Sequence, residues 1–470
     1  MTFAEPATYE AYRLLHEGAI AYAQMEENGV KVDEEHLDAT IAETAAKIKT
    51  LEAGLRSDRI FDLWRRRHGE KTNLWARDQL AAILYAPKDK GGLGYECKAF
   101  TATDKPKMDE AFLEQIDLPF IKDYIALQKL DKLQSTYFNG IRKELVKGRV
   151  HPNYNLNLAV TYRPSCDHPN FQNIPKRNPE IAELIRRCYV SSGPDWHLVE
   201  MDFSTIEVRI GACYHQDRRM IDYIRDKSKD MHRDMAELLF LLPQKLITKP
   251  IRNAAKGAFV FAEFYGDWYK SCAQGLWHAM HRDHLTLPDD TPLVEHLREE
   301  GISELGPCLF DEDPEPGTFE HLVQGVEREL WDVKFPDYRD WKKSFYRNYK
   351  EAGRFKTMTG FVLEGVFGKN DVSNYQIQGS AFHCQLWSQI KLQRLLNARG
   401  MRSKIVGQIY DSLIGDIPTE ELPTFIRLAR RVMTEQLPAA WQWIITPLEV
   451  EAEVAPAGKS WYETKAWTEK

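Results

Sequence analysis

Several features that would narrow the role of this 470-residue chain at once are missing. Its seven cysteines (Cys97, Cys166, Cys188, Cys213, Cys272, Cys308 and Cys384) are odd in number, widely spread and include no Cys-x-x-Cys pair. That argues against a disulfide framework and against a cysteine zinc site, and it suits a reducing cytoplasm. No run of 18 apolar residues occurs, and Met1 to Glu5 lacks a basic segment leading into an apolar one, so the chain is expected to be soluble, away from the membrane and not secreted. Excess positive charge is also lacking. A formal charge of −7 speaks against blanket electrostatic attraction to nucleic acid, while leaving room for a local basic groove or for carboxylates reserved for cations. Nor is there a phosphate-binding fingerprint. Gly91-Gly92-Leu93-Gly94 sits in a loop-like stretch, Pro87–Lys107, and Gly458-Lys459-Ser460 has Glu453 where a leading glycine is needed.

What is present reads as a folded chain of several lobes, 28% charged and 43% hydrophobic. Apolar periodicity predicts a helix over 9–28, stopped by Asn28-Gly29, and a second from Glu34 to about Arg56. With Lys122–Leu145 the second helix makes a charge-laced helical region. There Lys122, Lys129, Lys132, Arg142 and Lys143 form either a solvated face or a phosphate-tracking one. From His151 to Arg177 the chain turns to Asn, Pro, Tyr and Arg. Such a stretch cannot build its own core, so neighbouring loops or a polar ligand must satisfy it. Its amides and guanidinium groups suit base edges and phosphates.

Two segments carry most of the chemistry. Val199–Arg209 and Val406–Ile414 each place one aspartate at the end of an apolar, strand-like run. Strand spacing over His197–Asp202 and helical spacing over Ile206–Ala212 put Asp202 at a strand's end. Two strand-like runs, Ile405–Ile409 and Leu413–Ile417, predict a hairpin with Asp411 at its tip. Either aspartate alone reads more readily as a turn or cap residue. Brought together, they would be driven toward protonation unless divalent metals neutralised them, as in two-metal phosphoryl transfer. In a predicted helix over Lys249–Tyr265, Arg252 and Lys256 lie four apart and offer two cations to a triphosphate.

In order, Arg163–Arg177, Asp202–Glu207, Arg252 with Lys256 and Tyr265-Gly266, Asn374 with Gln378-Gly379, and Tyr410-Asp411-Ser412 resemble the motifs of family A DNA polymerases, the bacterial DNA polymerase I type. Met25–Asp33 and Leu127–Tyr137 resemble the entry and return of that family's thumb. The likeness covers nearly the whole chain and is weakest at about 282–330. It implies an α+β right-hand fold, with helical thumb and fingers around an antiparallel palm sheet. The implied parts are an N-terminal helix on the palm (1–31), thumb (32–158), palm (159–212 and 374–470) and fingers (213–373), the last with an acidic insertion at about 282–318. It also implies transfer of deoxynucleotides from dNTPs to the 3′-hydroxyl of primer-template DNA, using two Mg²⁺ ions for which Mn²⁺ can substitute.

By the same resemblance, Asp202, Asp411 and the backbone carbonyl of Phe203 hold metal, and Lys256 is catalytic. Arg252, Lys256, Phe261, Tyr265, Glu207, His232 and Phe203 bind the nucleotide, with Glu207 blocking a ribose 2′-hydroxyl. Arg163, Gln172, Asn173, Arg177, Asn374, Gln378 and Tyr410 contact DNA. The chain departs from the family in two places. Phe261 and Tyr265 stand five and nine residues after Lys256 instead of four and eight, a variant that resembles bacteriophage enzymes; the resemblance as a whole suits the cytoplasm of a bacterial or phage-infected host cell. One extra residue turns a regular helix by about 100°, so a π-bulge is needed to keep both rings on the lysine's face; otherwise Val260 and Phe264 take their place. Around Asp411, Tyr410 and Ser412 replace the usual His and Glu, and Asp416 is a poor substitute for the lost carboxylate. With the expected thumb starting near residue 32, no nuclease domain is expected, and proofreading or processivity would come from a separate protein. Two alternatives remain: a single-subunit RNA polymerase, disfavoured by Glu207, and a catalytically silent DNA-binding subunit.

Overall fold

The structure is a computed structural model and describes residues 8–97, 100–101, 103, 105–175, 179–309 and 312–468. Arg177 lies outside them. Its centre is a five-stranded, wholly antiparallel sheet built from β1 (Trp196–Phe203), β2 (Lys404–Ile409), β3 (Ser412–Pro418), β4 (Val450–Val454) and β5 (Lys465–Ala466). Their order across the sheet is β5-β4-β1-β3-β2. β1 is therefore interior, and Asp202 on it sits opposite Ser412 on one side and Glu451 on the other.

The two predicted N-terminal helices form where local signals put them. α1 (Thr8–Asn28) ends at Gly29, whose φ of +56° suits glycine and where a Cβ would meet the Val150 carbonyl at 2.7 Å. α2 (Glu34–Arg56) starts at Asp33, whose side chain accepts from the His36 amide at 3.0 Å. The helix expected over Lys122–Leu145 is broken into α3 (Pro119–Lys132), a π-helical stretch Leu133–Phe138 and a last turn Asn139–Lys143. Four of its five cations pair with nearby acids: Lys122 with Asp117, Lys129 with Glu110, Lys143 with Glu144, and Arg142 with Glu34 and Asp38. Exposed pairs of this kind are weak, so they fit a solvated face and a phosphate-tracking one alike.

Three hydrophobic cores follow. One, around Trp64 and Tyr124, lies within residues 55–127. A second, around Phe240, Phe259, Phe319 and Tyr338, joins α5 (Met231–Phe240), α6 (Lys249–Ala255), α8 (Tyr269–Arg282) and α9 (Phe319–Arg328). The largest covers the sheet and takes in α1 and α10 (Lys369–Ala398). The acidic stretch 282–318 does not hang free. Lys270, almost fully buried, donates to the carbonyls of Leu309 and Glu312 and lies 3.7 Å from the buried Glu320. No helix among the described residues is long and apolar enough to cross a membrane, and Cys166, Cys188, Cys213, Cys272, Cys308 and Cys384 are free thiols.

Candidate active site

The sheet brings the two aspartates to one rim. Asp202 is the penultimate residue of β1, and the Phe203 amide donates to the Asp411 carbonyl at 3.4 Å. Thr205, at φ +51°, then turns the chain into α4 (Ile206–His215), which puts Glu207 in its first turn. On the other side of the rim Tyr410, at φ +53°, forms the hairpin tip with Asp411.

Facing this rim is the helix that carries the cations. It is not regular: α6 runs into a π-helical turn, Lys256–Val260, before α7 (Phe261–Phe264), and the Phe261 amide bonds to the Lys256 carbonyl five residues back. The turn absorbs the extra residue. Val260 is thereby buried in the second core, while the Phe261 ring lies 5.1 Å from the Lys256 ammonium, 5.6 Å from His232 and 6.4 Å from Tyr265.

Between rim and helix is a cavity of about 520 Å³. Asp202, Phe203, Glu207, His232, Arg252, Lys256, Phe261, Tyr265, Arg163, Asn374, Gln378, Tyr410 and Asp411 all line it. Gln172 and Asn173 do not. Gln172 is buried, its amide donating to the Gln408 side chain at 2.7 Å, and Asn173 accepts from the Tyr410 hydroxyl at 3.3 Å. Gly379, beside Gln378, lets α10 approach the Thr161 carbonyl, which a Cβ would meet at 2.6 Å.

Polar contacts knit the walls together. The Tyr265 hydroxyl donates to Glu207, which lies 3.7 Å from Arg163, and Arg163 stacks 5.1 Å over the Tyr410 ring. Asn374 donates to the Tyr265 carbonyl at 2.7 Å. Arg252 does not point freely at a ligand: it grips Asp230 through two bonds of 2.6 and 3.0 Å. Burial opposes ionisation of Asp230, but the Arg252 bonds win and hold its pKa below the ordinary value. For Lys256, burial and then Arg252 lower the pKa, while Asp202, Glu451 and Asp411 pull it back up. His232 is pushed down to about 4 by burial, Lys256 and Arg252, so it is neutral at pH 7. Burial and then Glu207 raise the Tyr265 phenol.

Glu451, Phe264 and Tyr338 also line the cavity and are absent from the sequence-based set. Glu451 had a signal. The run from Leu448 to Val454 alternates, which gives Glu449, Glu451 and Glu453 one strand face. Even so, no group of three His, Cys, Asp or Glu among the described residues is placed to hold a metal. Asp202, Asp411 and the Phe203 carbonyl are hard oxygen donors of the kind Mg²⁺ takes, a set that fits such an ion. Asp416 is nearly fully buried on β3, accepting from the Ser192 amide at 3.1 Å, and does not reach the rim.

The sequence model of DNA polymerase family A matches residues 35–282, just over half of the chain. The chain belongs to DNA polymerase family A. Among curated members of the family, it is 27% identical to DNA polymerase I of Chloroflexus aurantiacus over 96% of its own length and 43% of that protein's. It is equally identical to the thermostable DNA polymerase I of Thermus aquaticus, over 94% and 47%. The chain thus spans less than half the length of these family A relatives. A solved structure, the POL domain of Pol1 from M. smegmatis in complex with DNA primer-template and dNTP, superposes with a TM-score of 0.73 at 24% identity, covering 95% of this chain and 70% of that one. The fold is accordingly the right-hand polymerase fold, with an antiparallel palm sheet and helical thumb and fingers.

Proposed function

We propose that the chain is a DNA-directed DNA polymerase that transfers a deoxynucleotide to a primer 3′-hydroxyl and releases pyrophosphate. The observation that carries the reading is the cavity in which Asp202 and Asp411, at the ends of adjacent strands, face Lys256 on the π-bulged helix. We assign 1–31 to a helix on the palm, 32–158 to the thumb, 159–212 and 374–470 to the palm and 213–373 to the fingers. Asp202, Asp411 and the Phe203 carbonyl would hold two divalent ions, Mg²⁺ or in its place Mn²⁺, which when bound supply a lowered pKa for the primer hydroxyl and neutralise the triphosphate.

The protein's own groups supply the rest. The primer 3′-hydroxyl gives up its proton to water as its oxygen bonds to the α-phosphorus, and the bond from that phosphorus to the bridging oxygen of the β-phosphate breaks, while Lys256 binds the phosphates and donates a proton to the departing pyrophosphate. Phe261 and Tyr265 stack against base and sugar. Glu207, fixed by Tyr265 and Arg163, fills the space of a 2′-hydroxyl. His232 and Arg252 flank the phosphates, while Asn374, Gln378, Arg163, Asn173 and Tyr410 border the primer-template. Gln172 and Arg177 are assigned to the same DNA surface, Gln172 through Gln408.

Primer extension on a recessed template with Mg²⁺ tests this. The intact chain should extend with dNTPs far better than with rNTPs, and Asp411→Ala should lower extension by about 10³-fold or more at unchanged melting temperature. Tight primer-template binding with no extension by the intact chain would instead identify a silent DNA-binding subunit.

A further inference from the structure

Behind the nucleotide cavity lies a second one of about 580 Å³ that shares Ser204, Thr205, Val208, His232 and Arg252 with it. Its outer wall is the loop Asp226-Lys227-Ser228-Lys229-Asp230 leading into α5. The carboxylates around it are engaged. Asp226 accepts from the Ser228 amide and hydroxyl, Asp230 is held by Arg252, and Glu449 by Arg209 at 2.7 Å. Lys227 and Lys229, both exposed, make no side-chain hydrogen bond or ion pair among the described residues. A separate observation points to a ligand. His232, 4% exposed, stands in the partition between the two cavities, and its Nδ1 has no hydrogen-bond partner among the described residues. A buried ring nitrogen left unsatisfied is costly unless something polar visits it.

We infer that this second cavity receives inorganic pyrophosphate as it leaves the nucleotide cavity, passing His232 toward Lys227 and Lys229. The inference rests on the proposed polymerase reading, which makes pyrophosphate the product. A polyanionic diphosphate suits paired ammonium groups on a loop, and removing it past the partition keeps the nucleotide's entrance clear.

The test uses the full chain and inorganic pyrophosphate as probe. The Lys227→Ala/Lys229→Ala variant should weaken calorimetric pyrophosphate binding about tenfold and raise equally the concentration that half-saturates pyrophosphate-driven primer shortening. Its KM for dNTPs should stay within about twofold and its melting temperature should not move. Unchanged pyrophosphate affinity would overturn the inference, as would an equal loss of dNTP affinity, which would place the lysines on the incoming triphosphate. Orthophosphate competing as well as pyrophosphate would overturn it too. If the intact chain fails to extend primers yet binds pyrophosphate through these lysines, the polymerase reading fails and the anion site stands; extension with no lysine effect sinks the site alone.

Discussion

The two sides of the π-bulged helix treat ionisable side chains in opposite ways. On the core side, Glu263 is 2% exposed and accepts from the Trp331 indole at 2.8 Å, and Lys342 donates to the carbonyls of Glu263 and Phe264 while lying 4.7 Å from the rings of Trp331 and Tyr338. On the cavity side, Lys256 faces Asp202, Glu451 and Asp411 across open space. One face packs its ionisable groups against protein; the other sets them around a cavity. The π-turn decides which residue belongs to which face, sending Val260 inward and Phe261 outward.

The comparison can be broken most violently on the closed side. Lys270→Met would strand Glu320, which is fully buried, and should cost about 3–5 kcal/mol in denaturant unfolding; Lys270→Met with Glu320→Leu should recover most of it. A close second is a pair of deletions in the helix. Removing Ala262, after the bulge, turns Tyr265 by about 100° and should lower primer extension about 10²–10³-fold, roughly 3–4 kcal/mol. Removing Gly257, where no atom lies within 4 Å of a would-be Cβ, converts the π-turn to a regular one and should keep extension within about tenfold. If both deletions are equally damaging, the bulge is not what sorts the faces.

A third effect is read in pH. Burial, and then Glu327, push the Glu263 carboxyl up to about 8 from an ordinary 4.5. The folded protein therefore keeps a proton that the unfolded chain gives up. This contribution is fully present below 4.5 and is lost as pH rises through 8. Glu263→Gln should flatten the fall in melting temperature between pH 5 and 8. The smallest change is expected for Tyr410→Phe, which removes only a half-exposed 3.3 Å bond to Asn173 and leaves the ring under Arg163. Extension should drop less than about threefold, about 0.5 kcal/mol.

How much of this was legible beforehand depends on how local the cause is. The end of α1 at Gly29, the strand-to-helix corner at Asp202 and the Asp411 hairpin follow from signals a few residues long. The π-turn was legible only as a mismatch in spacing between Lys256 and Phe261. Glu451 escaped because its place is set by strand pairing with Asp202, far away in the chain. Arg252's grip on Asp230 and the closure around Glu263 escaped for the same reason: each is made by helices whose mutual packing no local pattern records.

The placement of β1 also bears on timing. Asp202 sits on an interior strand whose amides are bonded on both sides, whereas Lys256 sits where a helix changes its hydrogen-bond register. Backbone amides of β1 should exchange with deuterium only when the whole palm opens, and those of 256–261 through local opening on a much faster clock. The lysine's wall of the cavity should therefore open locally while the aspartates' wall stays shut.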